Sequence, residues 1–385
     1  MMKAKYKVSD VLELEKAHLE NISTNGWQHR TLQAIRRCRT SEMGGHIDRC
    51  NRCKKIHFAY NSCRNRHCPS CQGHKREEWI AARTSELLPV KYFHCVFTLP
   101  EELRKYCLNY PEKMYAILFK SVWETLKQFS ANEKHLGAQL GAIAVLHTWG
   151  QNLILHPHLH LIIPAGGVTK SGHWKASKNK GKYLFNVKSM SKVYRAKFVA
   201  NMRQEIKNVP QSLYDKLFTK NWVVYAKKPF GRPENVIEYL GRYSHKIAIS
   251  NFRILAIDKL KRTVTFSLKD YKKGEKKTTL TLSTKEFIRR FCLHILPRGF
   301  TRIRHYGILS SGWKKEKLPA LQKQLGAKVL EKNAEKTQSI KLKKCPFCKI
   351  GDLITLIEFD SRGPPKEYEY LIKISEDSLR NKHKK

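Results

Sequence analysis

Hydrophobic and polar positions through the middle of the chain follow a pattern typical of a mixed domain. Short apolar runs that end at proline or glycine predict three strands: KYFHCVFTLP (91–100), GAIAVLHTW (141–149) and HPHLHLIIPAGG (156–167). Between the first two, residues 100–130 repeat apolar side chains at helical spacing, with an interruption at Pro111. The pattern therefore predicts the α+β class, with neighbouring antiparallel strands and flanking helices.

The third predicted strand carries histidines at alternate positions. Because residues i and i+2 of a strand point to the same face, His158 and His160 present two imidazoles side by side while Leu159 faces the core. This is the geometry of a metal site. A polar strip on an edge strand, or histidines satisfied by hydrogen bonds within the core, would produce the same pattern.

A further helix is predicted at RPENVIEYLGRYSHKIAIS (232–250), where Pro233 suits the first turn. Tyr239 and Tyr243 are four residues apart, so they lie on one helix face with their Cβ atoms about 5 to 6 Å apart. Aromatic pairs with this spacing also occur in ordinary helix packing. The spacing alone leaves packing and chemistry open.

Cysteines cluster near the N terminus at the spacing of zinc ligands. Cys50 and Cys53 form one C-x-x-C knuckle, Cys68 and Cys71 form a second, and fourteen residues separate the two. Zinc holds four thiolates tetrahedrally, and each knuckle can supply two of them from a tight turn. The sequence therefore predicts one structural zinc site made of these four thiolates.

Other cysteines and histidines remain unassigned by that pairing. A second site could use the residues left over in the same segment, which are Cys38, His46, Cys63 and His67. Stray cysteines and exposed histidines are also common without a metal. Near the C terminus, Cys345 and Cys348 form a lone knuckle that is either half of a site completed elsewhere or only a turn, so no metal is assigned to it here.

The charge of the chain identifies a class of partner. Its 385 residues include 75 Lys+Arg against 32 Asp+Glu, a net charge of +43 spread along the sequence. A polyanion is the natural partner for such a chain, and nucleic acid is a better candidate than an anionic membrane surface. The first residues lack the apolar core of a signal peptide, and no run of about 18 apolar residues follows. We therefore expect a cytoplasmic protein with no membrane partner.

Together these features indicate an apparatus for cutting one strand of DNA. The metal would act as a Lewis acid on the scissile phosphate while a tyrosine oxygen attacks it, which forms a 5′-phosphotyrosine and releases a 3′-hydroxyl. The covalent bond conserves the energy of the broken one, so rejoining needs no ATP. Consistently, the sequence contains no G-x-x-x-x-G-K-[ST] loop.

Five blocks of the sequence carry a family resemblance. They are NSCRNRHCPSCQ (61–72), FTLPEELR (97–104), WGQNLILHPHLHLIIPAGG (149–167), YLGRYSHKIAISN (239–251) and LPRGFTRIRHYGIL (296–309). In this order they resemble blocks of the HUH endonuclease superfamily and, within it, the two-tyrosine rolling-circle transposases of the IS91 type. The resemblance implies an RRM-like sheet with the histidines on a central strand. It gives His158 and His160 the metal role, Tyr239 and Tyr243 the nucleophile role, and the N-terminal cysteines the zinc role.

The third ligand of the catalytic metal is less directly indicated. In related replication initiators it lies seven or eight residues before the first histidine, which here implies Gln151. An amide oxygen can ligate Mg²⁺ or Mn²⁺ weakly. His147 and His156 are the alternatives.

We therefore expect three parts in the chain. They are a zinc-binding DNA-binding domain at 1–88, an HUH endonuclease domain at 89–310, and a basic C-terminal tail with the lone knuckle at 311–385. The expected function is a transposase that nicks and rejoins single-stranded DNA at the ends of its element and in target DNA. The alternatives are a plasmid or phage rolling-circle replication initiator, which shares the chemistry, and a non-catalytic zinc-containing DNA-binding regulator.

Overall fold

The computed structural model of the chain describes residues 4–72, 79, 80, 82–227, 241, 247–270, 276–326 and 343–380. Its N-terminal part consists of short helices followed by a hairpin: α1 Val8–Leu14, α2 Leu19–Ile22, α3 Gly26–Arg37, β1 Gly45–Cys50 and β2 Ile56–Tyr60. The central part contains β3 Tyr92–Thr98, α4 Arg104–Asn109, α5 Pro111–Ala131, β4 Gly141–Trp149, β5 Leu155–Pro164, β6 Gly166–Val168, β7 Trp174–Ala176, α6 Val187–Glu205, α7 Gln211–Thr219 and β8 Val224–Lys227. The remaining elements are β9 Ile254–Asp258, β10 Thr263–Asp270, β11 Lys276–Ser283, α8 Thr284–Cys292, β12 Ile303–Gly307, α9 Ser311–Gln324, β13 Leu353–Phe359 and α10 Glu369–Arg380.

The central sheet has five strands in the order β12-β4-β5-β3-β8, and every neighbouring pair is antiparallel. The predicted α+β class and antiparallel strands are therefore confirmed. The histidine-bearing strand, β5, lies in the middle of the sheet and pairs with β4 on one side and β3 on the other. An edge-strand position for the histidines is thereby excluded.

The two faces of the central sheet have different environments. On one face, Leu159, Leu161 and Ile163 of β5 enter the largest hydrophobic core together with apolar residues of α5 and α6. The opposite face is apolar at one end, where Ile143 and Ile162 pack in a second core that includes residues of α9. The histidines occupy the other end of this face because they alternate with the leucines.

The N-terminal helices share a third core with elements from much later in the chain. Apolar residues of α1 and α3 pack with those of β9, β10 and α8. The buried carboxylate of Glu15, just after α1, accepts hydrogen bonds from Arg262 and Thr284. The boundary predicted at residue 88 therefore separates segments that lie together in one core, because these contacts join distant parts of the sequence.

The described C-terminal residues also lie on the N-terminal part. β13 pairs antiparallel with β1 to form the three-stranded sheet β13-β1-β2, and Leu371 of α10 packs beside Ile47 and Ile56. This differs from the basic tail predicted at 311–385. Leu353 of β13 and Leu371 of α10 are buried here.

None of the helices in the described ranges combines the length and the apolar character that a membrane crossing requires.

We predict that Leu159→Ala strongly destabilises the fold. Leu159 has 0% exposure, and emptying such a site costs about 2–5 kcal/mol, since contacts are lost and a cavity remains. The matched control is Leu260→Ala, at a side chain that is 97% exposed, which should change stability by less than about 0.5 kcal/mol. Urea unfolding followed by circular dichroism measures both. Equal midpoints for the two variants would contradict the burial of Leu159.

Candidate functional site

Three imidazoles meet on the polar end of the central sheet. His147 on β4 lies directly opposite His158 on β5, and His160 is two residues further along β5 on the same face. The potential ligand nitrogens of the three side chains all lie within 4.8 Å of one another. The structure thus brings together the predicted pair, His158 and His160, and adds His147, one of the alternatives considered for the third ligand.

Hydrogen bonds set the orientation of the two β5 histidines. Nδ1 of His158 lies 2.6 Å from the carbonyl oxygen of His156, to which it donates, and Nδ1 of His160 lies 2.9 Å from Nε2 of His94 on β3. Burial and the nearby charge of Lys227 lower the pKa of His94 to about 4, so a neutral His94 can accept the proton of His160. Both histidines would then present Nε2 as the ligand atom, as metal-binding histidines with a fixed tautomer do.

Aromatic packing supports the third histidine. The ring of Trp149 stacks on His147 with centroids 4.5 Å apart and planes inclined by 21°. The guanidinium of Arg302 lies over the Trp149 ring, 5.5 Å from its centroid. His147 and His160 are buried, and His158 is only partly covered. The cluster is therefore most open beside His158.

The turn that joins β4 to β5 is held by side chains from the third core. Its three consecutive carbonyls accept hydrogen bonds from two arginines and a histidine, in the pairs Gln151 with Arg253, Asn152 with Arg290, and Leu153 with His294. Leu153 has a positive φ of 61° and its side chain is fully buried in that core. Left-handed backbone is costly for a leucine, so the surrounding contacts must impose it. These contacts fix where β4 ends after His147 and where β5 begins before His158.

Gln151 and His156 have different positions relative to the cluster. Gln151 lies in the turn, where its main-chain carbonyl accepts from Arg253. His156 is on the same face of β5, with its ring centroid 5.2 Å from that of His158, and burial lowers its pKa. It is not among the three residues whose ligand nitrogens come together. The assignment of Gln151 as the third ligand stays a prediction.

The two predicted nucleophiles, Tyr239 and Tyr243, lie outside the described residues.

The N-terminal cysteines form a four-thiol cluster that differs from the predicted set. Cys68 and Cys71 meet Cys38, which follows α3, and Cys63, which follows β2. Sulfur–sulfur distances include 3.5 Å for Cys38 to Cys71, 3.6 Å for Cys38 to Cys68 and 3.8 Å for Cys63 to Cys71. A tetrahedral zinc ion with Zn–S bonds of about 2.3 Å separates its sulfurs by about 3.8 Å. The four side chains fit structural zinc.

Cys50 and Cys53 do not belong to this cluster, so the predicted pairing of the two N-terminal knuckles is wrong. They occupy the tip of the β1–β2 hairpin, whereas Cys38 and Cys63 flank its open end. A strand rises about 3.3 Å per residue, so the length of β1 separates the two places by about 17 Å. The thiols that do meet Cys50 and Cys53 are those of the C-terminal knuckle, Cys345 and Cys348.

His46 and His67 also lie apart from the four-thiol cluster, which corrects the proposed second site of two cysteines and two histidines. His46 is held on β1 by Asn61 at 3.0 Å and Lys343 at 3.1 Å. His67 is buried and lines a small pocket beside Trp149, and burial, followed by the neighbouring positive charges, lowers its pKa to about 3. The side chains that meet Cys38 and Cys63 are instead the thiols of Cys68 and Cys71.

Sequence reasoning missed two features of the site. His94 was not singled out, although it sits at the centre of the first predicted strand, where a buried histidine beside two apolar residues is a polar exception. The partners of the C-terminal knuckle were also missed, because Cys50 and Cys348 are almost 300 positions apart. Only the pairing of β1 with β13 brings them together.

Comparisons with known proteins agree with one another. A family model described as "Putative transposase" matches residues 141–317, and one described as "Transposase zinc-binding domain" matches residues 11–99. The curated "Putative transposase y4qJ" of Sinorhizobium fredii is 38% identical over 381 residues, which cover 91% of this chain and 95% of the relative. The "Transposase for insertion sequence element IS801" of Pseudomonas savastanoi pv. phaseolicola is 26% identical over 326 residues, which cover 77% and 73%. No solved structure matches the chain.

These matches bear on the predicted function and cofactor. The zinc-binding model spans the segment from Cys38 to Cys71, and with the thiol geometry it supports structural zinc there. Transposases act on DNA, a polyanion, which agrees with the net charge of +43 on this chain. The matches give no support to a replication initiator or a non-catalytic regulator. The chain belongs to the transposases of the IS91 type, enzymes that cut and join DNA.

Proposed function

We propose that this transposase nicks and rejoins single-stranded DNA at the ends of its element, in rolling-circle transposition, through a 5′-phosphotyrosine intermediate. The observation that carries the proposal is the cluster of three imidazoles on the open end of the central sheet. Buried, oriented histidines that converge on one point have no packing role that apolar residues would not fill better. The function that best accounts for them is to bind a cation that in turn contacts a phosphate group of DNA.

We assign His147, His158 and His160 as the ligands of a divalent cation. When bound, the cation would supply Lewis-acid polarisation of the scissile phosphate. Three imidazoles are softer ligands than the carboxylates and carbonyls that Mg²⁺ prefers. Of the two cations expected from the sequence, Mg²⁺ and Mn²⁺, we therefore propose that Mn²⁺ supports cleavage at the lower concentration.

Tyr239 and Tyr243 are the proposed nucleophiles. The phenolic oxygen attacks phosphorus, the bond from phosphorus to the 3′ oxygen breaks, and the 3′ oxygen leaves as a hydroxyl after protonation. Attack by a 3′-hydroxyl on the phosphotyrosine reverses these changes and rejoins DNA without ATP. Two tyrosines allow two successive cuts, because one holds the first 5′ end while the other acts.

The length of chain between Tyr243 and Ile247 is compatible with the proposed role of Tyr243. Ile247 lines the cavity that also contains Trp149, whose ring stacks on His147. Tyr243 is four residues before Ile247 in the sequence, and four residues of chain span at most about 14 Å. A phenol is mostly protonated at neutral pH, so attack also needs a nearby base or a bound hydroxide.

The proposed path of the DNA follows exposed positive charge around the cysteine clusters. Exposed basic residues of this part include Arg39, Arg49, Arg52, Lys54, Lys55 and Arg64. Such side chains bind phosphates without regard to base sequence, so they would position the strand rather than select it.

Alanine at His147, His158 or His160 should reduce cleavage by orders of magnitude, because each change removes one of three ligands. DNA affinity should be nearly unchanged, because lysines and arginines carry it. The assay is cleavage of a labelled single strand that contains an element end, in a series of Mn²⁺ and Mg²⁺ concentrations, with fluorescence anisotropy for binding.

The matched control is His156→Ala, on the same strand and face but outside the cluster, which should retain cleavage. Gln151→Ala distinguishes the third ligand: loss of activity there with full activity in His147→Ala would move that role to Gln151. Full activity in His158→Ala and His160→Ala, or undiminished cleavage in excess EDTA, would overturn the metal assignment.

Phenylalanine at both Tyr239 and Tyr243 should abolish the covalent protein–DNA adduct, since the ring remains and only the hydroxyl is lost. Each single variant should keep one cleavage step yet lose complete transposition. The readout is label that stays with the protein through denaturing electrophoresis. Tyr225→Phe is the control, because register places this exposed tyrosine on the histidine face of the sheet, two strands from β5. An adduct that persists in the double variant would assign the nucleophile to another residue.

A further inference from the structure

We propose that Cys50, Cys53, Cys345 and Cys348 form a second structural zinc site, which fastens the C-terminal segment 343–380 to the tip of the N-terminal hairpin. The site is separate from the cluster that contains Cys38. Two of its four residues, Cys345 and Cys348, lie beyond the residues matched by the zinc-binding family model. The inference does not depend on the cleavage chemistry.

The four sulfurs have the spacing of a tetrahedral metal–thiolate centre. Sγ of Cys50 lies 3.7 Å from Sγ of Cys348, and Sγ of Cys53 lies 3.7 Å from Sγ of Cys345. All four sulfurs are within 4.8 Å of one another. The tetrahedral edge expected around zinc is about 3.8 Å, whereas a disulfide bond would bring two sulfurs to about 2.05 Å. The arrangement fits zinc, and all four thiols are free in the structure.

The two knuckles share one backbone conformation. Lys54 donates to the carbonyl of Cys50 at 3.1 Å, and Lys349 donates to the carbonyl of Cys345 at 2.9 Å, so each turn closes over the same number of residues. Lys54 and Lys349, which directly follow the second cysteine, both have positive φ, 57° and 63°. Non-glycine residues adopt this conformation at a cost, so its repetition indicates two turns shaped for one purpose.

Backbone amides are directed at the sulfurs of both knuckles. The N–H of Cys53 lies 3.4 Å from Sγ of Cys50, the N–H of Phe347 lies 3.4 Å from Sγ of Cys345, and the N–H of Gly351 lies 3.3 Å from Sγ of Cys348. Donors placed around sulfur stabilise the negative charge of a thiolate. Thiolate is the form that zinc binds.

Gly351 shows that the two knuckles are fitted to each other. A Cβ atom at this position would lie 2.5 Å from Sγ of Cys50 and 2.8 Å from Cβ of Arg52, much closer than atoms can approach. Main-chain bonds join the same region, since Asn51 donates to the carbonyl of Asp352 at 2.9 Å. Glycine is thus the residue that permits the C-terminal knuckle to close on the hairpin tip.

Strand pairing explains why this site joins the N-terminal hairpin to the C-terminal segment. Cys50, the last residue of β1, is in register with Leu353, the first residue of β13. The C-terminal knuckle immediately precedes β13, so antiparallel pairing brings it to the hairpin tip. Zinc at this point would add to the small apolar cores that hold β13 and α10 on the sheet.

Zinc per chain in the purified full-length protein tests the proposal, measured by plasma mass spectrometry after dialysis under reducing conditions. We expect two zinc ions in the wild type, one in Cys345→Ser or Cys348→Ser, and one in Cys68→Ser. The combination of Cys68→Ser with Cys348→Ser should hold almost none. Cys107→Ser is the matched control, since this buried cysteine belongs to neither cluster, and it should keep both ions.

Hydrogen exchange of the β13 amides measures how firmly β13 is held against β1. Protection should fall in Cys348→Ser and remain in Cys68→Ser. Gly351→Ala keeps all four thiols and should release one zinc ion to a chelator about tenfold faster, which preserves the test where a serine variant does not fold. A single zinc ion in the wild type, two ions in Cys348→Ser, or unchanged protection of β13 in Cys348→Ser would overturn the proposal.

Discussion

The alternation of side chains between the two faces of β5 is the constraint on which the rest of the structure depends. Leu159, Leu161 and Ile163 bury one face of the strand in the main core, and the same backbone geometry turns His158 and His160 to the other face. Because β5 is the middle strand, neighbours on both sides contribute to the histidine site: β4 supplies His147, and β3 supplies His94. A shift of register by one residue would turn the imidazoles of β5 into the main core and its leucines to the opposite face.

Contacts outside the sheet fix this register. The β4–β5 turn has three consecutive carbonyls bound by Arg253, Arg290 and His294, and its Leu153 is inserted into the core shared by the N-terminal helices and β9–α8. The third core therefore positions the histidines as well as stabilising the N-terminal part. The Cys38 cluster is part of this arrangement, since Cys38 and Cys68 are buried in the same core. Structural zinc and the candidate catalytic site are thus linked through one set of packed side chains.

Local patterns in the sequence predicted the local features correctly. Alternation in HPHLHLII predicted both a strand and the shared face of His158 and His160, because the two faces of a strand differ by one residue. The antiparallel sheet and the α+β class followed from runs of the same kind. The zinc-binding character followed from C-x-x-C spacing, which is a property of one turn.

Contacts between distant segments were beyond this reasoning. Spacing shows that Cys50 and Cys53 form a knuckle, yet it does not show that β1 would carry them about 17 Å from Cys63, or that β13 would bring Cys348 to them. The packing of α1 and α3 against residues that follow position 247 was beyond it for the same reason. Partners of this kind are set by tertiary packing, and no short window of sequence contains them.

Mass-spectrometric mapping of the covalent adduct tests the central claim most directly. The wild-type protein would be incubated with Mn²⁺ and a single strand containing an element end, digested with protease and nuclease, and searched for peptides that carry a residual nucleotide. The account predicts a nucleotide bound through a 5′-phosphate to Tyr239 or Tyr243. A nucleotide on any other residue, or DNA cleaved with no nucleotide left on the protein, would contradict it.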